Sequence, residues 1–273
     1  MIDKIYIPTF RRVDNQKCYN NLPDKYKKKV IMVVQEQERD EYNYDVEYLV
    51  VGNDIGIAKT RKHIYDHAGN TRFCMIDDDI TIRRRNRKYM GAESNMEGSG
   101  RICTTEDMDY MFNMFNDWMN EGLMHVGCRD GNVIPSGLYY KEFSNVSGVH
   151  FLNGEELNKW KDEVDWTMVK VAEDSLLNLE CLLRGFKNRV SDEFVSDGYS
   201  SMWTNKGGLE NIRSSQVHYE ENMKLMNNPR YKPYVWIKNS REIKNYGIIN
   251  DFKFKYKQAY DSSKYKNGWG KFE

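Results

Sequence analysis

Residues 72–85 read RFCMIDDDITIRRR, an apolar run that passes into three aspartates and then, after Ile80, Thr81 and Ile82, into three arginines. Adjacent carboxylates repel one another, and each resists leaving water unless something offsets its charge. The run before them has the length and residue types of a buried strand. What compensates the aspartates therefore decides how the chain is read.

Three earlier runs match the apolar half of this stretch: KIYIPT (4–9), KVIMVVQ (29–35) and VEYLVVG (46–52), all rich in Val, Ile or Tyr. Near-continuous hydrophobicity predicts strands covered on both faces, as in a parallel sheet. Polar segments with helical content lie between them. In IAKTRKHIYDHA, for example, Ile57, Thr60, Ile64 and Ala68 fall at helical spacing ahead of Gly69. This alternation predicts an α/β fold, with a Rossmann-like, mostly parallel central sheet and helices on both faces. In such sheets ligands bind beyond the carboxyl ends of the strands. Those ends carry Thr9-Phe10-Arg11-Arg12, Gln35-Glu36, Gly52-Asn53-Asp54 leading to Gly56, and Asp77-Asp78-Asp79. Neither GxGxxG nor GxxxxGK[ST] occurs, which excludes a dinucleotide fingerprint and a P-loop.

A divalent cation beyond the strand ends would make the aspartates tolerable. Mg2+ or Mn2+ takes carboxylate oxygens and shares its remaining positions with substrate phosphates. Strand alternation puts Asp77 and Asp79 on one side and Asp78 on the other, so metal and nucleotide contact are assigned to Asp77 and Asp79. An acidic turn paired with nearby arginines is the alternative. His63 and His67 lack the Glu of HExxH and read as ordinary helix residues; His125 and His150 fall in strand-like runs and read as core groups.

The polar stretch NRKYMGAESNMEGSGR (86–101) reads as a mobile loop. A helix follows in TTEDMDYMFNMFNDWMNEG, with Thr104 and Asp107 as a capping box and Met108, Met111, Phe112, Phe115 and Met119 on one face. A second helix, VAEDSLLNLECLLRGF, carries Glu173 and Asp174 at its amino end, where the helix dipole favours negative charge, and stops at Gly185. Five cysteines without close pairs argue against a disulfide framework and a cysteine zinc site. The 273 residues hold no eighteen-residue apolar stretch, and MIDKIYIPTF enters a strand pattern at once. A cytoplasmic protein with no membrane segment, monomeric or weakly dimeric, is expected. The net charge of zero hides an asymmetry: residues 229–273 hold 11 Lys/Arg against 4 Asp/Glu, a local surplus of +7. This boundary divides a catalytic unit, 1–228, from a basic, aromatic-rich extension, 229–273.

Taken together, IPTFRR, the Asp triplet closing the fourth strand, GIAKTRKHI before it and a later Glu-Asp heading a helix that ends in LLRGF resemble the GT-A glycosyltransferases. The wording is similar to one branch in particular, the phage TET-associated DNA glycosyltransferases, relatives of the base J glucosyltransferases. The resemblance covers residues 2–90 well and 125–220 loosely. It implies that Pro8, Thr9 and Arg11 border the nucleotide of a UDP-sugar, with Glu36 near its base or ribose. Gly56, Lys59 and Arg61 would lie at the diphosphate, although Lys59 and Arg61 also suit plain surface cations. Asp77 and Asp79 would hold Mn2+ or Mg2+, with His218 as a further ligand. Asp174, flanked by Glu173, would be the general base of an inverting reaction, a helix-start carboxylate being the alternative. The implied acceptor is a 5-hydroxymethylpyrimidine in the DNA of a phage-infected cell, either 5-hydroxymethylcytosine or 5-hydroxymethyluracil.

Two features suit DNA. The arginines Arg83, Arg84 and Arg85, continued by Arg87 and Lys88, follow the metal motif directly, and Arg129 and Asn132 in GCRDGN are candidates for the acceptor side. The tail beyond 229 interleaves cations with aromatics, as strand-binding surfaces do, or else forms an aromatic core with solvated lysines. Rival readings are a same-fold enzyme acting on polysaccharide or protein, a two-metal nuclease using Asp77, Asp79, Glu173 and Asp174, and a non-catalytic DNA-binding module.

Overall fold

The computed structural model describes residues 2–85, 100–133, 139–198, 214–243 and 247–266. The chain opens with β1 (Lys4–Pro8), α1 (Lys17–Asn21), α2 (Asp24–Lys27), β2 (Val30–Gln35), a 3-10 turn at Glu36–Glu41 and β3 (Glu47–Val51). It continues through α3 (Gly56–Ala68), β4 (Arg72–Ile76), β5 (Thr81–Arg84), β6 (Arg101–Ile102) and α4 (Thr105–Asn120). After β7 (His125–Asp130), β8 (Tyr140–Glu142), β9 (Val149–Asn153) and α5 (Gly154–Asn158) come α6 (Glu173–Leu183) and β10 (Asn188–Asp197). The last described elements are α7 (Ser215–Asn227), β11 (Val235–Ile243), β12 (Gly247–Phe254) and α8 (Tyr256–Lys266). Most of the segment expected as a mobile loop, with Arg87 and Lys88, lies outside the described residues.

A ten-stranded sheet runs in the order β3-β2-β1-β4-β9-β7-β10-β5-β6, with β8 also on β10. β1 pairs in parallel with β2 and β4, β2 with β3, and β7 with β10. β9 sits antiparallel between β4 and β7, and β5 and β8 run antiparallel to β10. Most strands thus point one way, as the apolar runs predict, with β9 reversed in the middle. The reversed strands were not legible as such, because a run buried on both faces looks the same in either direction.

Side-chain alternation along the strands divides the interior into two cores. Ile5, Ile7, Met32, Val34, Cys74, Ile76 and Phe151 face α4. Tyr6, Ile31, Val33, Phe73, Met75 and Leu152 face α3 and α6. The expected Met/Phe stripe of α4 is buried, worth about 1.5–3 kcal/mol per large side chain. Its start is the capping box read from the sequence, Thr104 Oγ1 accepting from Asp107 N–H while the Asp107 carboxylate accepts from Thr104 N–H. Beyond residue 228, Tyr231, Tyr234, Val235, Tyr256 and Ala259 are buried in the same core as Leu176, Leu179 and Leu183 of α6. All five cysteines are free and buried. Among the described residues no helix is long and apolar enough to cross a membrane.

Candidate active site

The strand ends open onto a cleft of about 670 Å³ whose lining includes Pro8, Thr9, Arg11, Gln35, Gly56, Lys59, Asp77, Asp79 and Glu173. The Asp triplet occupies a turn after β4 rather than the strand itself. Asp77 N–H donates to Gly148 O at 3.0 Å, Cys18 N–H donates to Asp78 O at 2.8 Å, and Ile80 N–H donates to Asp77 O at 3.1 Å. Asp78 turns inward, accepting from Thr9 Oγ1 at 2.8 Å and from Arg12. Gln16 Nε2 braces this corner by donating to Thr9 Oγ1 at 2.7 Å and Arg12 O at 2.9 Å. Asp77 and Asp79 keep 31% and 24% of their side chains exposed on the cleft.

Three residues have left-handed backbone angles here: Arg11 (φ 54°) and Asp54 (φ 52°), which line the cleft, and Ala172 (φ 69°), next to the lining residue Glu173. Such angles are costly for residues other than glycine, and they gather where a side chain must be aimed. Glu38 fixes the first by accepting Arg11 N–H at 2.9 Å, and Gln35 fixes the second by accepting Asp54 N–H at 2.7 Å. The third lies immediately before Glu173, so it sets how the acidic end of α6 enters the site.

Arg61 is the hub. It is 2% exposed and bonds Asp174, while its Nη2 stands 3.2 Å from Asp77 and 3.3 Å from Glu173. Arg61, expected at the diphosphate, lines the cleft with its guanidinium committed to three carboxylates. Behind it lies a buried histidine pair that the sequence reading treated only as core. His125 Nε2 is 3.0 Å from His150 Nδ1, and His150 Nε2 is 3.0 Å from Asp174 Oδ1. Burial pushes both imidazoles below their ordinary range, so both are neutral at pH 7.

The charges do not balance. If all were ionised, Asp77, Asp78, Asp79, Glu173 and Asp174 would set five carboxylates against the guanidiniums of Arg12 and Arg61, with Lys17 as a further cation near Asp79. Burial raises Asp77 to about 8 despite Arg61, with Asp174, Asp79 and Glu173 adding to the rise, and burial likewise raises Glu173 to about 7. Burial also opposes ionisation of Asp174, but Arg61 and His150 outweigh it and hold that carboxyl well below the usual range. Such a surplus, with two carboxylates on the open side, fits a divalent cation that completes its shell from substrate. No group of three His, Cys, Asp or Glu able to hold a metal occurs among the described residues. An ion here would therefore depend on ligands that arrive with a substrate.

A pH dependence follows. A carboxyl whose folded pKa is raised contributes stability below its unfolded pKa and loses that contribution as pH rises through the folded value. For Asp77 and Glu173 the loss runs from about pH 4 to about pH 8. In EDTA the urea midpoint should therefore fall between pH 5.5 and pH 8.5; a midpoint that is flat or rises would show that the cluster is not strained.

The other expected residues divide. Arg11 and Lys59 line the cleft, as does Lys170, which the sequence reading missed; all three are exposed and without an ion pair among the described residues. Glu36 is exposed and absent from the lining, and its neighbour Gln35 faces the cleft instead. His218, expected as a further metal ligand, lies in α7 with its ring 6.4 Å from Phe252 and is not among the residues that line the cleft. The arginines expected on DNA are spent inside the fold. Arg83 pairs with Asp197 at 2.6 Å, Arg84 with Asp107 at 2.8 Å and with Glu193, and Arg129 with Asp192 at 2.7 Å. Arg85 is buried and donates to the carbonyls of Gly131 (3.1 Å) and Val133 (2.7 Å). Asp107, Asp192, Glu193 and Asp197 are buried and need these cations, since an unpaired buried charge costs several kcal/mol. Asn132 donates to Asp130 at 3.1 Å on an exposed turn.

Comparison with known proteins adds to this geometry. The family model for TET-associated glycosyltransferases matches residues 3–187. The beta-glucosyl-HMC-alpha-glucosyl-transferases of Enterobacteria phages T2 and T6 are each 22% identical over 222 residues, covering 78% of this chain and 76% of theirs. A mannosyltransferase from Pyrobaculum calidifontis, solved with GDP-Man and Mn2+, aligns with a TM-score of 0.45 at 13% identity, over 84% of this chain and 66% of that one. With its turn of aspartates and the Glu-Asp pair of α6 both inside the matched span, the chain belongs to the TET-associated glycosyltransferase family.

Proposed function

We propose that the protein transfers a sugar from a UDP-sugar to the hydroxyl of a 5-hydroxymethylpyrimidine in DNA, with Mn2+ or Mg2+ bound at Asp77 and Asp79. The observation that carries this reading is that the carboxylates of Asp77, Asp79 and Glu173 and the cations Arg11, Lys59 and Lys170, which make no ion pair among the described residues, line one cleft. A diphosphate needs both: cations for its oxygens and an ion to bridge it to carboxylates. When bound, the metal would supply charge stabilisation for the departing diphosphate. Thr9 and Arg12 hold Asp78 and keep the turn in register, and Arg61 keeps Asp77 and Glu173 on the same wall.

Of the two candidate bases, Glu173 is better suited than Asp174. It lines the cleft, and its carboxyl is raised toward neutrality, which suits proton acceptance near pH 7. Asp174 is turned to Arg61 and His150, so its role is to orient the hub. Glu173→Gln should lower kcat about 10²–10³-fold with donor KM little changed. Asp174→Asn should lower both turnover and the urea midpoint. Steady-state kinetics and denaturation check the pair; the reverse pattern would restore Asp174 as the base.

The acceptor rests on the family and on the names of the phage relatives, which carry a glucosylated HMC. Those names also favour a second reading, in which the acceptor hydroxyl belongs to a sugar already on the base. The test is nucleoside mass spectrometry after incubating hydroxymethylated DNA, glucosylated or bare, with a panel of UDP-sugars and Mn2+. A new glycosylated nucleoside on either DNA supports the proposal and selects between the acceptors. Transfer only to polysaccharide or protein would overturn it.

A further inference from the structure

Arg83, Arg84 and Arg85 are spent internally, and among the described residues uncommitted positive charge collects on the C-terminal hairpin. β11 and β12 pair antiparallel, with Trp236 opposite Lys253. One face of the hairpin is closed. Phe252 packs beside His218 and Tyr219 of α7, Phe254 stacks on Tyr256 at 5.6 Å, and Val235 is buried. On the other face Trp236 is 38% exposed, with Lys255 Nζ 5.0 Å from its ring centroid and Lys253 across the ladder.

Lys238, at the register shift between Ile237 and Asn239, is exposed as well, as is Lys232 in the turn before β11. These four lysines make no ion pair among the described residues. The acids of the hairpin, Glu242 and Asp251, sit nearer its tip, paired with Ile248 and Asn239. The base of the hairpin therefore presents an exposed indole with Lys255 over its ring, Lys253 opposite it in the ladder and Lys238 two residues along the strand. It is also fixed to the active site. α7 carries Glu221, which accepts the N–H of cleft residue Lys170, and α8 beyond the hairpin packs on α6, the helix headed by Glu173.

We infer that this face holds the acceptor DNA: Lys238, Lys253 and Lys255 contact phosphates, and Trp236 stacks on an exposed base or sugar. Lysines contribute counterion release, which is salt-sensitive, whereas a stacked aromatic contributes affinity that salt hardly changes. The inference rests on the proposed DNA acceptor, and the two can fail separately.

The experiment is fluorescence anisotropy of labelled hydroxymethylated duplex DNA with the full chain across a salt series. It compares wild type, Lys238→Gln/Lys253→Gln/Lys255→Gln and Trp236→Ala. UDP binding in Mn2+ serves as the check that each variant keeps an intact cleft. The lysine variant should bind at least about 10-fold more weakly, with a log K against log salt slope shallower by about 2–3. Trp236→Ala should weaken binding about 5- to 100-fold with the slope unchanged. Wild-type binding that both variants match in affinity and slope would overturn this surface alone. No DNA binding by the wild type would overturn the surface and the DNA acceptor together.

Discussion

Asp77→Asn should reduce sugar transfer by about 10³-fold or more, about 4 kcal/mol of transition-state stabilisation, while making the metal-free protein more stable at pH 8. Both effects have one cause. Burial and neighbouring carboxylates hold the Asp77 carboxyl up to about 8, so at pH 8 and above the folded chain carries this anion against its preference. Asparagine removes the charge and still offers an oxygen to Arg61, whose Nη2 lies 3.2 Å from Asp77. The fold loses a repulsion, and the cleft loses one of its two open carboxylates. Asp79→Asn should show the same loss of transfer, with Arg12 still held by Asp78. Initial rates in Mn2+ and urea midpoints in EDTA measure the two sides. A variant that transfers normally would remove Asp77 from the donor site, and one that is inactive but destabilised would mean that its carboxylate is structural.

The second large effect is on folding. Arg61→Met should cost about 3–5 kcal/mol, because it leaves Asp77, Glu173 and Asp174 facing one another without their buried cation. Against a typical total of about 5–15 kcal/mol, that is a large fraction. The loss should shrink when Glu173→Gln and Asp174→Asn are added, since the charges left stranded are then gone; the coupling is read from the cycle of single and combined variants. Arg61→Lys should fall between, as an ammonium lacks the planar fork that reaches three carboxylates at once. A loss below about 1 kcal/mol for Arg61→Met would mean that the cluster is neutral by protonation and needs no hub.

Much of this arrangement was legible in the residues. The four apolar runs mark the parallel half of the sheet, and the strand-end rule places Thr9, Arg11, Gly56, Asp77 and Asp79 at one edge, where the cleft lies, while Lys59 is implied by the family resemblance. The Thr104 capping box and the Met/Phe stripe carry their meaning in local spacing, so they could be read directly. What could not be read depends on pairings distant in sequence. Arg84 and Arg129 look like free cations until β10 brings Glu193 and Asp192 beside them, 109 and 63 residues away. The only signal was the acidic pair inside SDEF, an apolar-flanked strand, where a buried carboxylate demands a partner. His150 meets Asp174 only because β9 is inserted antiparallel beside β4, a direction no periodicity reports. Arg61 shares its helix face with Ile57 and Ile64, and that face points into the fold.

The central claim is that the acidic turn is completed by a divalent cation held jointly with a nucleotide diphosphate. It is tested most directly by a crystal grown with Mn2+ and UDP and examined by anomalous scattering at the manganese edge. The account predicts a manganese peak between Asp77, Asp79 and the diphosphate, with Arg61 still on Asp174 and the phosphates facing Lys59. No peak in that corner, with Asp77 and Asp79 still turned to Arg61 and Arg12 while UDP occupies the cleft, would contradict it.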